Sequence, residues 1–207
     1  EHAGVSNPQP MKFTILKQIP VAGGMAGGSA DAAAALVALN QAWELGLSAE
    51  ELSVVGAKVG ADVPFALLGG TAFGQGTGTE LTKLENQKEL HVILIFSEAG
   101  LSTKTVFESF DQVWPEGDDV DLELANNYQD LIGYNSLLPA ALALRPELAH
   151  LLELNFGLQG GYLSGSGPTV WFYSESYPKA LGAFEMVKAF GYKAILTRTS
   201  PLGARLS

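Results

Sequence analysis

The chain has 207 residues, 47% hydrophobic, with 22 acidic against 12 basic side chains and a formal net charge of −10. That length and apolar content suffice for one large or two small domains with real cores. The acidic balance disfavours duplex nucleic acid and anionic membrane as general partners, and the absence of cysteine excludes disulfides, thiolate catalysis and cysteine-based zinc sites. His2, His91 and His150 are scattered without metal-ligand spacing. No apolar run approaches the roughly 20 residues of a spanning helix. Glu1-His2-Ala3-Gly4 does not read as a signal peptide, so a cytoplasmic protein is expected.

In chain order, Met11–Gln18 reads as a strand and Ser29–Trp43 as a helix, with Ala32, Leu36, Leu39 and Trp43 on one apolar face. Between them lies Pro20-Val21-Ala22-Gly23-Gly24-Met25-Ala26-Gly27-Gly28-Ser29-Ala30. Glycine and alanine leave this backbone almost bare, able to adopt left-handed conformations and to bring N–H groups against a ligand. The following helix points the positive end of its dipole back at the loop, which suits phosphate. Ser29 and Asp31 stand where helix N-caps are expected. The same composition also suits a flexible turn before a helix. The loop is neither a Walker loop, which ends in Gly-Lys-Ser/Thr, nor a Gly-x-Gly-x-x-Gly dinucleotide fingerprint.

Ser48 and Glu51 have capping-box spacing and open a second helix through Val59. Gly60-Ala61-Asp62-Val63-Pro64-Phe65 turns the chain; Asp62 reads either as a helix N-cap or as a functional carboxylate. Thr71–Phe73 reads as a strand between glycine turns. The charged stretch Leu84–Glu89 marks a domain boundary, and the apolar run His91–Phe96 a buried strand. Ser102–Phe110 reads as a helix, Trp114–Asp121 as an exposed acidic loop, Leu122–Leu144 as helix interrupted at Gly133, and Pro146–Leu154 as another helix. Tyr162–Ser164 and Thr169–Tyr173 read as strands around Gly165-Ser166-Gly167-Pro168, which is either a hairpin turn or a glycine motif. Lys179–Phe190 reads as an amphipathic helix and Lys193–Arg198 as a last strand. Strands and helices mix without regular alternation, which argues for an α+β fold.

Three segments, Pro20–Ala30, Gly60–Phe65 and Leu163–Thr169, together and in this order resemble the GHMP kinase superfamily. Within it they are most similar to the 4-diphosphocytidyl-2-C-methyl-D-erythritol kinase family. Gly100-Leu101-Ser102-Thr103 resembles that family's Gly-Val-Ser-Thr segment. Thr197–Leu206 resembles its C-terminal strand and tail, and Asn135-Ser136 stands at its Asn-Asp or Asn-Glu pair. The resemblance implies a two-domain fold: a ribosomal S5 domain 2-like N-terminal domain over residues 1–86, incomplete at its start, and a ferredoxin-like C-terminal domain over 87–207. It implies transfer of a phosphoryl group from ATP, with Mg²⁺, to a hydroxyl of a CDP-linked methylerythritol in non-mevalonate isoprenoid synthesis. Homoserine- or mevalonate-type kinases, and a non-catalytic nucleotide-binding fragment, are the alternatives.

By the same resemblance, Pro20, Val21, Ala22, Gly23, Gly24, Met25, Ala26, Gly27, Gly28, Ser29 and Ala30 hold the nucleotide, and Ser29 also touches phosphate or metal. Asp62 accepts or orients the substrate hydroxyl proton. Thr103, Thr105, Ser164, Gly165, Ser166 and Gly167 line the substrate side. The expected partner is a small molecule, not nucleic acid or membrane. The family's early Lys-Ile/Leu-Asn-Leu strand and Gly-Tyr-His turn are not found, so the chain is expected to begin inside the first domain. The family's Gly-Arg-Gly-Glu turn is replaced by Gly76-Thr77-Gly78-Thr79-Glu80.

Overall fold

Local signals set the first helices. Ser48 Oγ accepts from Glu51 N at 3.2 Å while Glu51 Oε2 accepts from Ser48 N at 2.8 Å, the reciprocal capping box that opens α2 (Ala49–Ala57). Asn40 staples the preceding turn, with its side chain bonded to both N and O of Leu47 at 3.0 Å. The computed structural model describes residues 10–84, 88–113 and 131–206. The chain folds as two compact units, one holding Glu1–Gln18, Ala26–Gln87 and Ser200–Ser207, the other Ile19–Met25 and Lys88–Thr199. Compared with a single cut after residue 86, the short segments 19–25 and 200–207 are exchanged between units.

In the first unit α1 (Gly27–Ala42) and α2 pack against α3 (Val63–Leu68). Ala33, Leu52 and Val63 are buried there. α2 and α3 approach closely because Gly56 has no side chain; a Cβ there would lie 2.9 Å from Val63 Cγ1. An antiparallel hairpin of β1 (Ala72–Gln75) and β2 (Glu80–Lys83) follows. Gly76 and Gly78 both adopt positive φ at its turn. The chain's tail returns to α3, where Ala204 N donates to Ala66 O at 2.8 Å and Gly70 N to Ser200 O at 3.2 Å. Met11–Gln18 is not a strand. A strand exists through a partner's hydrogen bonds, and among the described residues none pairs with this run. Its Phe13, Ile15 and Leu16 are exposed.

The second unit is built on a four-stranded antiparallel sheet of β3 (His91–Ile95), β4 (Gln159–Leu163), β5 (Val170–Ser174) and β6 (Ala194–Arg198), in the order β4-β5-β3-β6. Ile93 pairs with Phe172 and Leu196, and Ile95 with Val170 and Ala194, so one face is continuously apolar. α7 (Tyr177–Ala189) packs on this face, and its Ala180, Ala183 and Val187 are buried. α4 (Thr103–Val113), α5 (Leu138–Leu144) and α6 (Leu148–Leu152) gather a second core of Leu101, Val106, Ala140, Ala141, Leu148 and Leu163. Tyr162, Trp171 and Tyr173 cluster with ring centroids 5.0–6.4 Å apart. The helices and antiparallel sheets make the architecture α+β. The acidic segment 114–121 and residues 122–130 of the expected long helix lie outside the described residues; α5 is the described remainder, after a turn in which Gly133 has φ 90°.

Phe172 is 2% exposed and packs edge-on to Phe156 at 5.5 Å. Phe172→Ala is expected to lower stability by about 3–5 kcal/mol in urea titration. A loss below about 1 kcal/mol would contradict this assignment of the sheet core.

Candidate active site

The bare loop is not a flexible turn. Ala22, Gly24 and Ala26 adopt positive φ of 56°, 70° and 48°. For alanine that region costs about 1–2 kcal/mol per residue, so surrounding contacts must hold it. For Gly24 those contacts come from the turn between β4 and β5. Ser164 Oγ donates to Gly24 O at 2.9 Å. A Cβ on Gly24 would lie 2.3 Å from Ser164 O and 2.6 Å from Gly167 O, and one on Gly165 would lie 2.9 Å from Gly24 O. Two backbones therefore meet where only glycine fits. The turn is itself closed by Ser164 N to Thr169 O at 2.9 Å and Gly167 N to Ser164 O at 2.8 Å. Ser164–Thr169 is thus a hairpin connection and, at once, the surface on which the loop rests. Asn135 braces it, its amide donating to Leu163 O at 3.1 Å and Gly165 O at 2.8 Å.

The loop runs directly into α1. The helix begins two residues earlier than expected, with left-handed Ala26 as its N-cap and no side-chain cap. Ser29 and Asp31 therefore lie inside the helix and do not cap it. The first-turn N–H groups of an uncapped helix lack intrahelical acceptors and carry the positive end of the dipole. A Cβ on Gly28 would meet nothing within 4 Å, so the space beside this turn is open. Asp31 instead pairs with Lys17, which brings a cation to the second turn of α1. Composition gave no sign of that pair, whose members are 14 positions apart.

Asp62 stands at the N-cap position of α3, yet its side chain makes no capping hydrogen bond. Its neighbours Val63 and Pro64 are buried while Asp62 itself is exposed, so the carboxylate projects from a fixed backbone. In the second unit, Ser102 Oγ accepts from Thr105 N at 3.4 Å as α4 begins. Thr103 Oγ1 lies 2.9 Å from Ser166 Oγ, joining the Gly100–Thr103 segment to the hairpin turn. Ser166 is 4% exposed, whereas Thr103 and Thr105 are exposed. Ser164, expected to face substrate, has its hydroxyl proton committed to Gly24. Among the described residues no group of three or more histidine, aspartate or glutamate side chains could hold a metal.

Comparison with known proteins decides between these readings. The model of the GHMP kinases N terminal domain matches residues 1–70. A 4-diphosphocytidyl-2-C-methyl-D-erythritol kinase of Nocardia farcinica is 43% identical over 95% of this chain and 69% of its own length. The chain belongs to the 4-diphosphocytidyl-2-C-methyl-D-erythritol kinase family. A member from Mycolicibacterium smegmatis is also 43% identical, over 87% of this chain and 60% of its own length. The chain thus spans about two thirds or less of these relatives. A crystal structure of 4-(cytidine 5'-diphospho)-2C-methyl-D-erythritol kinase superposes with a TM-score of 0.70 at 30% identity, over 89% of this chain and 69% of that one. A homoserine kinase from Cytophaga hutchinsonii, at TM-score 0.62 and 19% identity over 89% of this chain and 68% of that one, shares the fold.

The open space beside Gly28 yields a sharp expectation. Gly28→Val should leave folding intact, since valine meets no protein atom and is no worse than glycine in a helix. It should weaken ATP binding about 10- to 100-fold, the worth of one hydrogen bond to a charged group. Gly24→Ala should instead cost about 1–3 kcal/mol of stability through strain and backbone collision. Calorimetric titration with ATP and thermal melts separate the two; unchanged ATP affinity in Gly28→Val would remove this turn from the nucleotide site.

Proposed function

We propose that the protein carrying this chain transfers the terminal phosphoryl group of ATP to a hydroxyl of 4-diphosphocytidyl-2-C-methyl-D-erythritol, a step of non-mevalonate isoprenoid precursor synthesis. The observation that carries this reading is the uncapped start of α1 behind a loop held in left-handed backbone, in a chain 43% identical to kinases of that name. Phosphoryl transfer asks the protein for positioning and charge stabilisation rather than covalent chemistry. A stiff backbone presenting N–H groups supplies both.

In this reading Pro20–Ala30 holds the nucleotide, with the N–H groups of Gly27, Gly28 and Ser29 directed at phosphate. Asp62 orients the acceptor hydroxyl and takes its proton. Thr103 and Thr105 contact the acceptor; Ser166 and the flanking Gly165 and Gly167 line the site with them, and Ser164 serves by fixing Gly24. Ser29 would help hold Mg²⁺ beside the nucleotide phosphates. Its chemistry there is to neutralise phosphate charge. Both substrates are water-soluble anions, and no helix among the described residues is long and apolar enough to cross a membrane. We place the reaction in the cytoplasm on the water solubility of both substrates.

Asp62→Asn should lower kcat about 10²- to 10⁴-fold, the usual worth of a positioned base, while ATP still binds. Coupled-enzyme turnover and an ATP titration read the two quantities. Retained turnover would remove Asp62 from its assigned role. Turnover with homoserine or mevalonate in place of the CDP-linked acceptor would move the protein to another branch of the same fold.

A further inference from the structure

We infer that Arg145 is a positioning residue for phosphoryl transfer, acting through the Ser97–Gly100 segment that joins β3 to α4. This inference rests on the kinase reading above. Arg145 is the residue that ends α5, and its side chain is only 20% exposed. One terminal nitrogen, Nη1, donates to Ala99 O at 3.2 Å and to Gly100 O at 3.1 Å; the other, Nη2, donates to Ser97 Oγ at 3.4 Å. Nε pairs with Glu147 on the exposed side. Arg145 and Ala99 are 46 positions apart in sequence, so this is a tertiary clamp and not a local turn.

The clamped segment touches both the nucleotide loop and the hairpin turn. Immediately after Gly100, Leu101 N donates to Ala22 O at 3.3 Å, on the left-handed loop assigned to the nucleotide. A Cβ on Gly100 would lie 3.2 Å from Ala22 Cβ, so the two segments already meet. Two residues after Leu101, Thr103 bonds Ser166 in the hairpin turn. One short segment therefore contacts the nucleotide loop at one end and the acceptor-side hydroxyl pair at the other. Leu101 anchors its far side by burial. Its near side, residues 97–100, carries exposed Glu98, Ala99 and Gly100, and Arg145 ties it down. A lysine's single nitrogen could meet the two carbonyls but not also Ser97 Oγ and Glu147, and its flexible, strongly hydrated head holds them less firmly than a planar fork does. In a reaction governed by in-line geometry, a displacement near 1 Å costs about 10²-fold in rate.

The test compares Arg145→Lys with the parent protein by amide hydrogen exchange and by steady-state kinetics with ATP and the CDP-linked acceptor. The expected result is faster exchange confined to residues 97–103, the Leu101 amide included, with β3 unchanged. With it, kcat should fall about 10- to 100-fold while KM for ATP is little changed. Glu147→Gln, which removes a charge from the surface pair and leaves the carbonyl contacts, should stay within about twofold of the parent. Exchange unchanged at 97–103 would overturn the clamp. Faster exchange there with unaltered kcat would overturn the positioning role, and acceleration through β3 as well would make Arg145 a stability residue only. Should Arg145→Lys not fold, Ser97→Ala removes the Nη2 contact alone and is judged by the same two readouts. A parent protein that does not turn over the acceptor overturns the kinase reading instead, and the exchange pattern still decides the clamp.

Discussion

The structure depends on a contact between two backbones. Gly24 lies against the Ser164–Gly167 turn so closely that a single methyl group on it would overlap carbonyl oxygen and amide nitrogen. That approach, with the Ser164 hydroxyl bonded to Gly24 O, fixes Gly24 between Ala22 and Ala26, two alanines that also adopt the left-handed conformation they would not choose. Strain of this kind persists only where neighbours over-determine it, and here the neighbours are a hairpin on a buried sheet. The loop enters α1 with no side-chain cap on its first turn.

The rest of the second unit supports that contact. Phe172, Ile93 and Ile95 fix the sheet beneath the hairpin, and Asn135 ties the hairpin's start to the α5 region. Arg145 and the Thr103–Ser166 pair bring the β3–α4 connection to the same place. In the first unit, Asp62 is presented by α3, which is itself fixed by the Gly56 approach and by the returning tail at Gly69 and Gly203. Glycine stands at Gly24, Gly69 and Gly203 because there backbone meets backbone.

Much of this was legible in the sequence, and the reasons are local. The apolar run at β3, the capping box at Ser48 and Glu51, and the strand Thr71–Phe73 before the glycine turn are short-range signals, and the elements form within a residue or two of their expected bounds. The strand expected at Met11–Gln18 fails because pairing is a tertiary property that periodicity cannot supply. Polar β2 was missed for the converse reason: the hairpin recruits it without an apolar pattern. The helix start moved from Ser29 to Gly27 because the strained loop, not a capping side chain, sets it. The Gly-rich motifs located the candidate site, yet the same motifs could not tell a rigid loop from a flexible one. The contacts that hold it, Ser164 to Gly24 across 140 positions and Leu101 N to Ala22 O, are made only by the fold.

On the proposed reading, this loop offers the first-turn N–H groups of α1 to nucleotide phosphate. It is tested most directly by residue-resolved amide exchange at Gly27, Gly28 and Ser29, with and without ATP. Fast exchange is predicted in the free protein and strong protection on nucleotide binding, with little change at Gly24 and Gly167, whose contact is already made. Equal exchange rates at Gly27–Ser29 in both states, at saturating ATP, would contradict it.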